Sequence, residues 1–542
     1  MLDRVGQLRT FVTAKALTLG TLVRAGVVRP ARPDRLVGLA SALLRWGPTP
    51  AAGYQAASLR YPDQVAIVDE LGTLTFSEVH QRSNALANEL ASDGLRAGDG
   101  VAIMCRNHRG FVEAVTACSK LGADAVFLNT AFSGPQLADV VEREEPKAVI
   151  YDQEFGEILD AVALRRMRYL AWTEPNAPSA VPLLEELIAR GSRADLTPPD
   201  RPGKAIILTS GTTGTPKGAS RSQPKSLDPA AALLSRIPLR ARGKTMIAAP
   251  LFHSWGFAHF TLGLSLSSTY VLRRRFDPEA ILSLTAQHEC SALVVVPVMI
   301  QRILELPDEV LERYDLTKVR AVPVSGSALP GPQSERWMDH FGENLFNLYG
   351  STEVAWATIA TPQDLREAPG TAGKPPRGTV VKLYDEGGEP VGPGGTGRIF
   401  VGNEMQFEGY TGGGNKDVID GLMSSGDVGH FDAAGRLFID GRDDEMIVSG
   451  GENVFPAEVE ELLTGHDGVG EVAVFGVADA EFGQRLKAVI VLRNGQAADA
   501  SEFKAYVRSN LAGYKVPRDF EFIDELPRTS TGKVLKRELR ED

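Results

Sequence analysis

Cysteine is nearly missing from this chain. Its 542 residues include three, Cys105, Cys118 and Cys290, and no two of them form a Cys-x-x-Cys pair. Neither a disulfide framework nor a zinc site is indicated, and a reducing, cytoplasmic setting fits best. The eight histidines never show the His-Glu-x-x-His spacing of a metalloprotease. Positive charge is also in deficit: 58 Lys and Arg stand against 69 Asp and Glu, for a net charge of −11 and a pI near 5.4. General nucleic-acid binding wants a basic surface and is set aside. Binding an anion such as ATP or CoA is not opposed, because local sites decide it. Hydrophobic content of 43% and charged content of 23% are ordinary for a globular protein. The length allows several domains of about 150 residues each.

The N-terminal segment runs against the acidic balance. Residues 1–46 hold Arg4, Arg9, Lys15, Arg24, Arg29, Arg32, Arg35 and Arg45 against Asp3 and Asp34, with apolar residues between. Lys15 and Arg24 interrupt every stretch long enough to span a bilayer, which takes about 20 apolar residues. No basic start, short apolar run and small-residue cleavage site occur in series, so a signal peptide is not expected. Two readings of this extension stand side by side. One is a basic amphipathic helix on anionic lipid; the other is a helical extension packed on the main body.

Through the first 440 residues, apolar runs alternate with amphipathic stretches. Val65–Val68, Val101–Met104, Ala148–Tyr151, Thr245–Ala248, Ala292–Val296 and Val319–Val322 read as strands. Phe76 to Ser92 and Arg109 to Leu121 read as helices between them. This alternation predicts an α/β fold of parallel sheets covered by helices. From about 385 to 441 glycine becomes dense and strands short, which predicts a small β-rich subdomain. Its Gly392-Pro-Gly-Gly-Thr-Gly397 fits G-x-G-x-x-G formally. It precedes a strand, Gly397–Val401, instead of opening a helix, so it reads as turn punctuation. The last hundred residues read as a compact α+β unit: a helix from Pro456, strands over Glu471–Phe475 and Lys487–Leu492, and a helix from Ser501 to Leu511 closed by Gly513. The expected division is an extension over 1–50, a large domain over 51–441 and a small C-terminal domain over 442–542.

The chemistry concentrates in Leu208-Thr-Ser-Gly-Thr-Thr-Gly-Thr-Pro-Lys-Gly218. Glycines let backbone approach a ligand closely. N–H groups and hydroxyls suit phosphate oxygens, and Lys217 adds a cation. The apolar Lys204–Leu208 before it reads as a buried strand, so the loop leaves a strand end, where α/β proteins place ligands. A Walker A loop is excluded, because the residue five past Gly211 is Pro216 and Lys217 is followed by Gly218.

With this loop the chain resembles the adenylate-forming superfamily of acyl-CoA synthetases, firefly luciferases and peptide-synthetase adenylation domains. Further motifs recur in order. Asn347-Leu-Tyr-Gly-Ser-Thr-Glu353 is similar to the adenine and magnesium motif, and Ser425-Gly-Asp427 to the ribose motif, with Ser where Thr is frequent. Gly441-Arg-Asp-Asp-Glu-Met-Ile-Val-Ser-Gly-Gly-Glu-Asn453 is similar to the hinge motif, and Pro527-Arg-Thr-Ser-Thr-Gly-Lys533 to the catalytic-lysine motif. The likeness spans roughly residues 55 to 540.

The resemblance implies ATP-dependent activation of a carboxylic acid to acyl-AMP with release of pyrophosphate, then transfer to CoA. It implies nucleotide contacts from Thr209, Ser210, Gly211, Thr212, Thr213, Gly214 and Lys217, from Gly326, Ser327 and Ala328, and from Tyr349, Gly350, Ser351 and Thr352. Tyr349 would stack on adenine and Thr352 touch the α-phosphate. Asp427 would accept from the ribose hydroxyls and Arg442 contact ATP. Glu353 would hold Mg²⁺, since a hard cation wants oxygen ligands. Lys533 is the expected catalytic cation, bridging carboxylate and α-phosphate. Asp444 would be the hinge, and Gly450 and Gly451 would let the pantetheine arm pass. His253, in Leu251-Phe-His-Ser-Trp-Gly-Phe257, would lie by the substrate carboxylate. The apolar flank, with Trp255 and Phe257, suits a fatty or aromatic acid better than a polar amino acid, and a medium- or long-chain fatty acid is the expected substrate. The alternatives are an aryl acid, and an acyl-AMP ligase that loads a carrier protein.

Overall fold

The computed structural model describes residues 15–29, 33–162, 167–174, 180–209, 217–221, 226–405, 408–411, 413–443, 447–449, 452–479, 483–493, 499–511, 513–529 and 532–540. A seven-stranded sheet runs in the spatial order Gly409–Tyr410, Lys217–Arg221, Ala205–Thr209, Asp124–Phe127, Gly100–Met104, Ala148–Asp152 and Met167–Trp172. Its last five strands are parallel, with Val101 opposite both Ala125 and Ala148. A five-stranded sheet sets Ala292–Val294, Lys244–Ile247, Thr269–Leu272 and Val65–Asp69 parallel, and Gly72–Thr75 antiparallel at the edge. Bridges from Ala292 to Ala321 and from Val295 to Val324 join it to the small sheet of Val322–Val324, Leu345–Tyr349 and Thr358–Ala360. Strands such as Gly100–Met104 are buried almost throughout, as parallel strands covered on both faces must be.

The covering helices follow from local signals. Phe76–Ser92 opens on a capping box, Thr75 with Glu78, and buries Val79, Ser83, Leu86 and Leu90 at helical spacing. Arg109–Leu121 starts where the His108 ring accepts from the Gly110 N–H, and stops at Gly122, whose φ of 73° is the left-handed cap. Cys105, His108 and Asp152 form a fully buried cluster beside that helix start. His108 Nε2 lies 2.8 Å from Asp152 Oδ1, the Gly110 N–H reaches His108 Nδ1 at 3.1 Å, and the Arg106 N–H reaches Asp152 at 3.1 Å. Both ring nitrogens are thus committed within the protein, and the cluster braces strand to helix.

Residues 380–442 form an antiparallel sheet of Val380–Tyr384, Gly397–Gly402, Leu422–Phe431, Val418–Ile419 and Leu437–Arg442. The Gly392–Gly397 segment makes the turn into its second strand, through a Gly395 N–H to Gly392 C=O bond of 3.1 Å. The small C-terminal domain pairs Val469–Asp479 with Gly483–Leu492, adds Asp519–Phe522 in parallel, and packs helices Pro456–Thr464 and Ala500–Asn510 over its own core of Val459, Leu463, Val474, Ile490 and Phe503. The molecule is therefore mixed α/β with a large N-terminal and a small C-terminal domain.

Two local expectations shift. The strand placed over Val319–Val322 forms at Val322–Val324, because Val319 instead closes a turn onto the Leu316 carbonyl. The last helix ends at Asn510, with Leu511 extended at φ −127° and ψ 165°, and Gly513 begins a short 3-10 turn of its own.

The N-terminal extension packs on the body where it is described. Residues 15–25 are helical. Leu22 and Ala25 enter the main core, Lys15 and Thr18 both bind Asp228, and the Ala241 N–H donates to the Ala25 carbonyl at 2.8 Å. Among the described residues, no helix is long and apolar enough to cross a membrane.

Candidate active site

One cavity of about 550 Å³ gathers residues from both domains. Its apolar wall comes from two helices: Ala230 and Leu233 on Asp228–Leu234, and Trp255, Phe257, Ala258 and Leu262 on Ser254–Ser265. Ile207, on the strand that leads into the phosphate-type loop, joins them. Its polar wall comes from loops at strand ends. Gly350, Ser351, Thr352 and Glu353 follow strand Leu345–Tyr349; Ser325 and Gly326 follow Val322–Val324; Arg442 ends Leu437–Arg442; and Lys533 arrives from the C-terminal domain.

The polar wall is organised by a tyrosine and two carboxylates. Tyr349 donates its hydroxyl proton to Asp427 Oδ2 at 2.5 Å and lies 3.0 Å from Ser425 Oγ. Antiparallel register sets Asp427 opposite Arg442, whose Nε is 3.7 Å from the carboxylate. Burial pushes the Asp427 carboxyl up, against the Tyr349 hydrogen bond and the nearby charges of Arg442, Lys533 and Lys416. Burial likewise raises the Tyr349 phenol, reinforced by the Asp427 charge. Glu353 accepts from the Tyr410 hydroxyl at 2.7 Å, and Ser351 Oγ accepts from the N–H of Glu353 at 3.2 Å, which fixes the turn carrying the carboxylate. Gly350 is required here: a Cβ would come within 2.1 Å of the Ala355 carbonyl oxygen.

Lys533 sits on a tight hairpin turn. The Thr529 N–H donates to the Lys533 carbonyl at 2.8 Å, the Lys533 N–H to Thr529 Oγ1 at 3.1 Å, and Arg528 Nη1 to the Gly532 carbonyl at 2.6 Å. Gly532, at φ 83°, presses on Val298 of helix Pro297–Leu304, where an added Cβ would meet the valine at 2.3 Å. Gln301 of the same helix bonds Glu471 at 3.4 Å. These contacts hold the lysine loop at the mouth of the cavity.

His253 lines the cavity as the residue that caps helix Ser254–Ser265, and burial lowers its pKa to about 4. Its ring is therefore neutral near pH 7. Behind it, Trp255 donates its indole N–H to the Val295 carbonyl at 2.9 Å and meets the His259 ring edge-on at 4.4 Å.

The structure thus brings together Lys533, His253, Glu353, Gly326, Gly350, Ser351, Thr352 and Arg442, with Tyr349 and Asp427 bonded behind that wall. Ser327 and Ala328 are exposed and are not among the lining residues. Thr209 and Lys217 lie in paired strands, opposite each other. Ser210, Gly211, Thr212, Thr213 and Gly214, the hinge Asp444, and Gly450 and Gly451 lie outside the described residues. Sequence reasoning missed two contributors. Tyr410 follows Gly409 on the edge strand, and Lys416 follows the glycine-rich run 412–414; both line the cavity. A lone lysine ending a glycine run was the available signal for the second.

The profile of the AMP-binding enzyme family matches residues 54–411, and that of the AMP-binding enzyme C-terminal domain matches residues 458–533. The chain belongs to the AMP-binding enzyme family. This AMP-binding enzyme is 35% identical over 477 residues to a feruloyl-CoA synthase of Amycolatopsis sp, covering 86% of this chain and 93% of that one. It is 31% identical over 490 residues to an indoleacetate–CoA ligase of Aromatoleum aromaticum, covering 89% and 95%. Its fold matches that of an anthranilate CoA ligase in complex with anthranoyl-AMP, with a TM-score of 0.82 at 24% identity, over 91% of this chain and 96% of the other.

Proposed function

We propose that this AMP-binding enzyme is an ATP-dependent acid–CoA ligase for apolar carboxylic acids, working through an acyl adenylate. The observation that carries the reading is one cavity in which three cations, Lys416, Arg442 and Lys533, and one carboxylate, Glu353, face an apolar wall. A polyanion and a hydrophobic acid both fit such a space. Adenylation brings two anions together, so catalysis is positioning and charge neutralisation. Lys533 spans the acid carboxylate and the α-phosphate as charge moves from one to the other. Tyr349 offers its ring to adenine, with its orientation pre-set by the bonds to Asp427 and Ser425. Asp427 accepts from ribose hydroxyls, Arg442 and Thr352 hold phosphates, and neutral His253 borders the carboxylate.

Glu353 fits a magnesium ligand: its carboxylate is an oxygen donor at the polar wall and one of its oxygens is already oriented by Tyr410. Bound there, the ion would supply charge neutralisation for the departing pyrophosphate. CoA is the acceptor in this reading, as it is for the feruloyl-CoA synthase and indoleacetate–CoA ligase relatives.

For the acid, those relatives favour an aryl substrate, and Trp255 and Phe257 suit a ring. A medium- or long-chain fatty acid is the second reading, favoured by the mostly aliphatic wall of Ile207, Ala230, Leu233 and Leu262. Amino acids are disfavoured: among the described lining residues Glu353 is the only acid, and the magnesium role claims it. Lipid contact through residues 1–46 ranks behind packing on the body, which already engages Lys15, Leu22 and Ala25. Full-length protein that stays unpelleted with anionic vesicles would remove it.

The test is mass spectrometry of products from ATP, Mg²⁺ and a panel of aryl and fatty acids, with and without CoA. Acyl-CoA formed only with CoA is expected. Acyl-AMP that accumulates in its presence would instead point to a carrier-protein acceptor. Lys533→Ala should lower adenylation by about 10²–10³-fold while sparing thioester formation from supplied acyl-AMP. Equal loss of both half-reactions would contradict its assigned role.

A further inference from the structure

Behind the apolar wall lies a second cavity of about 210 Å³. Pro48, Leu227, Thr261 and Ser265 line both cavities, so the two chambers adjoin across these four residues. The second chamber exists because helix Pro50–Arg60 turns small residues, Ala52, Gly53 and Ala56, toward helix Ser254–Ser265. At Gly53 an added Cβ would already meet Leu264 at 2.9 Å, so the two helices approach as closely as a glycine permits. The remaining wall is the N-terminal segment, through Val27, Val28 and Leu43. The family profile begins only at residue 54. This wall therefore lies outside the residues that the family profile matches.

We infer that the second chamber receives the distal hydrocarbon of the acid substrate, and that Val27, Val28, Leu43, Ala52 and Ala56 set how long that hydrocarbon can be. This rests on the ligase reading above. The chamber's lining is predominantly apolar, and its two arginines leave it so. Arg29 is exposed, while Arg60 directs Nη1 to the Val27 carbonyl at 3.4 Å and stacks over Tyr61 at 5.2 Å. An apolar space holds water poorly, because a water there finds too few hydrogen-bond partners. Hydrocarbon placed in it is favoured more with each methylene that leaves water. An acid whose carboxylate meets Lys533 fills the first chamber with its proximal part. Only an acid longer than a single ring or a short chain reaches past Thr261 and Leu227. The substrate class is thus an extended apolar acid: a long alkyl chain, or a ring that carries one.

The experiment compares kcat/KM for unbranched saturated acids of six to eighteen carbons in the wild type, in Ala56→Phe, which fills the chamber from the first helix, and in Thr261→Phe, which closes the junction. In the wild type kcat/KM should climb with length well beyond six carbons. In both variants the long-to-short ratio should fall about tenfold or more, because several methylenes lose their burial. The ratio is taken within each variant, so a general folding defect cancels. Identical length profiles in wild type and variants would overturn the proposal, as would a wild type that prefers the six-carbon acid. A wild type that makes no thioester from these acids or from the aryl acids of the product panel above would sink the ligase reading instead. Calorimetric titration of dodecanoate into wild type and Ala56→Phe then still decides the chamber: equal affinity refutes it, and weaker binding to the variant supports it.

Discussion

At the scale of single residues, the site is built from groups whose ionisation burial controls. His253 faces the cavity with a pKa lowered to about 4, and His259 lies behind it with one lowered to about 3. His259 Nε2 is also buried without a hydrogen-bond partner. The sign of the consequence is fixed by linkage. An unfolded histidine gains its proton near pH 6.5; a folded one held well below that does not, so stability falls as pH drops through 6.5 and keeps falling until the folded pKa is reached. For His259 the loss amounts to about 2 kcal/mol at pH 5. His259→Leu should therefore lose less melting temperature between pH 7.5 and pH 5 than the wild type does. Equal losses in thermal melts would show that this ring does not carry the acid sensitivity. A neutral His253 also means that adenylation between pH 6 and 8 should show no ionisation belonging to that ring.

Elements decide where those residues go. Asp427 and Arg442 are fifteen positions apart in the chain, yet antiparallel register sets them opposite each other. Tyr349 ends a strand of a different sheet and still reaches Asp427 with its hydroxyl. The turn after Tyr349 is the tightest joint of the site, because Gly350 leaves no room before the Ala355 carbonyl. Gly350→Ala should destabilise the protein by about 1–3 kcal/mol, as overpacking does, and raise the KM for ATP by displacing Thr352 and Glu353. An unchanged melting temperature together with an unchanged KM would contradict that reading. The motif Asn347–Glu353 was legible through its resemblance to the superfamily's adenine and magnesium motif; its residue types alone also fit a helix start. Its partner Tyr410 was not, since a tyrosine on a short edge strand looks like any packed aromatic until tertiary structure brings Glu353 to it.

Taken as a whole, the molecule places its expected catalytic lysine on one domain and most of the cavity on the other. Among the described residues the two domains meet through Gly532 against Val298, Gln301 with Glu471, and Glu461 beside Gly370. A domain alternation of the kind the resemblance implies, docking for one half-reaction and departing for the next, would break these contacts. Val298→Trp would occupy the place of Gly532. It should lower adenylation by about 10²-fold, the cost of misplacing a reacting group by an ångström, while thioester formation from supplied acyl-AMP persists. Half-reaction rates that fall together would show instead that the contact serves folding.

Local pattern along the chain carried the class of fold and the order of the motifs. Alternating apolar runs and capped helices are local properties, and Phe76–Ser92 and Arg109–Leu121 form over the very residues their patterns mark. The glycines, hydroxyls and lysine of Leu208–Gly218 show their chemistry in residue type, whereas Lys533 was marked through the superfamily resemblance. Only the tertiary structure decided which of them meet. It set Lys416 beside Arg442 and Lys533, left Ser327 and Ala328 outside the cavity, and packed the basic extension against the body to wall a second chamber. Those outcomes depend on register, helix approach and the volume left between small side chains, which are relations between distant segments that no window of sequence contains.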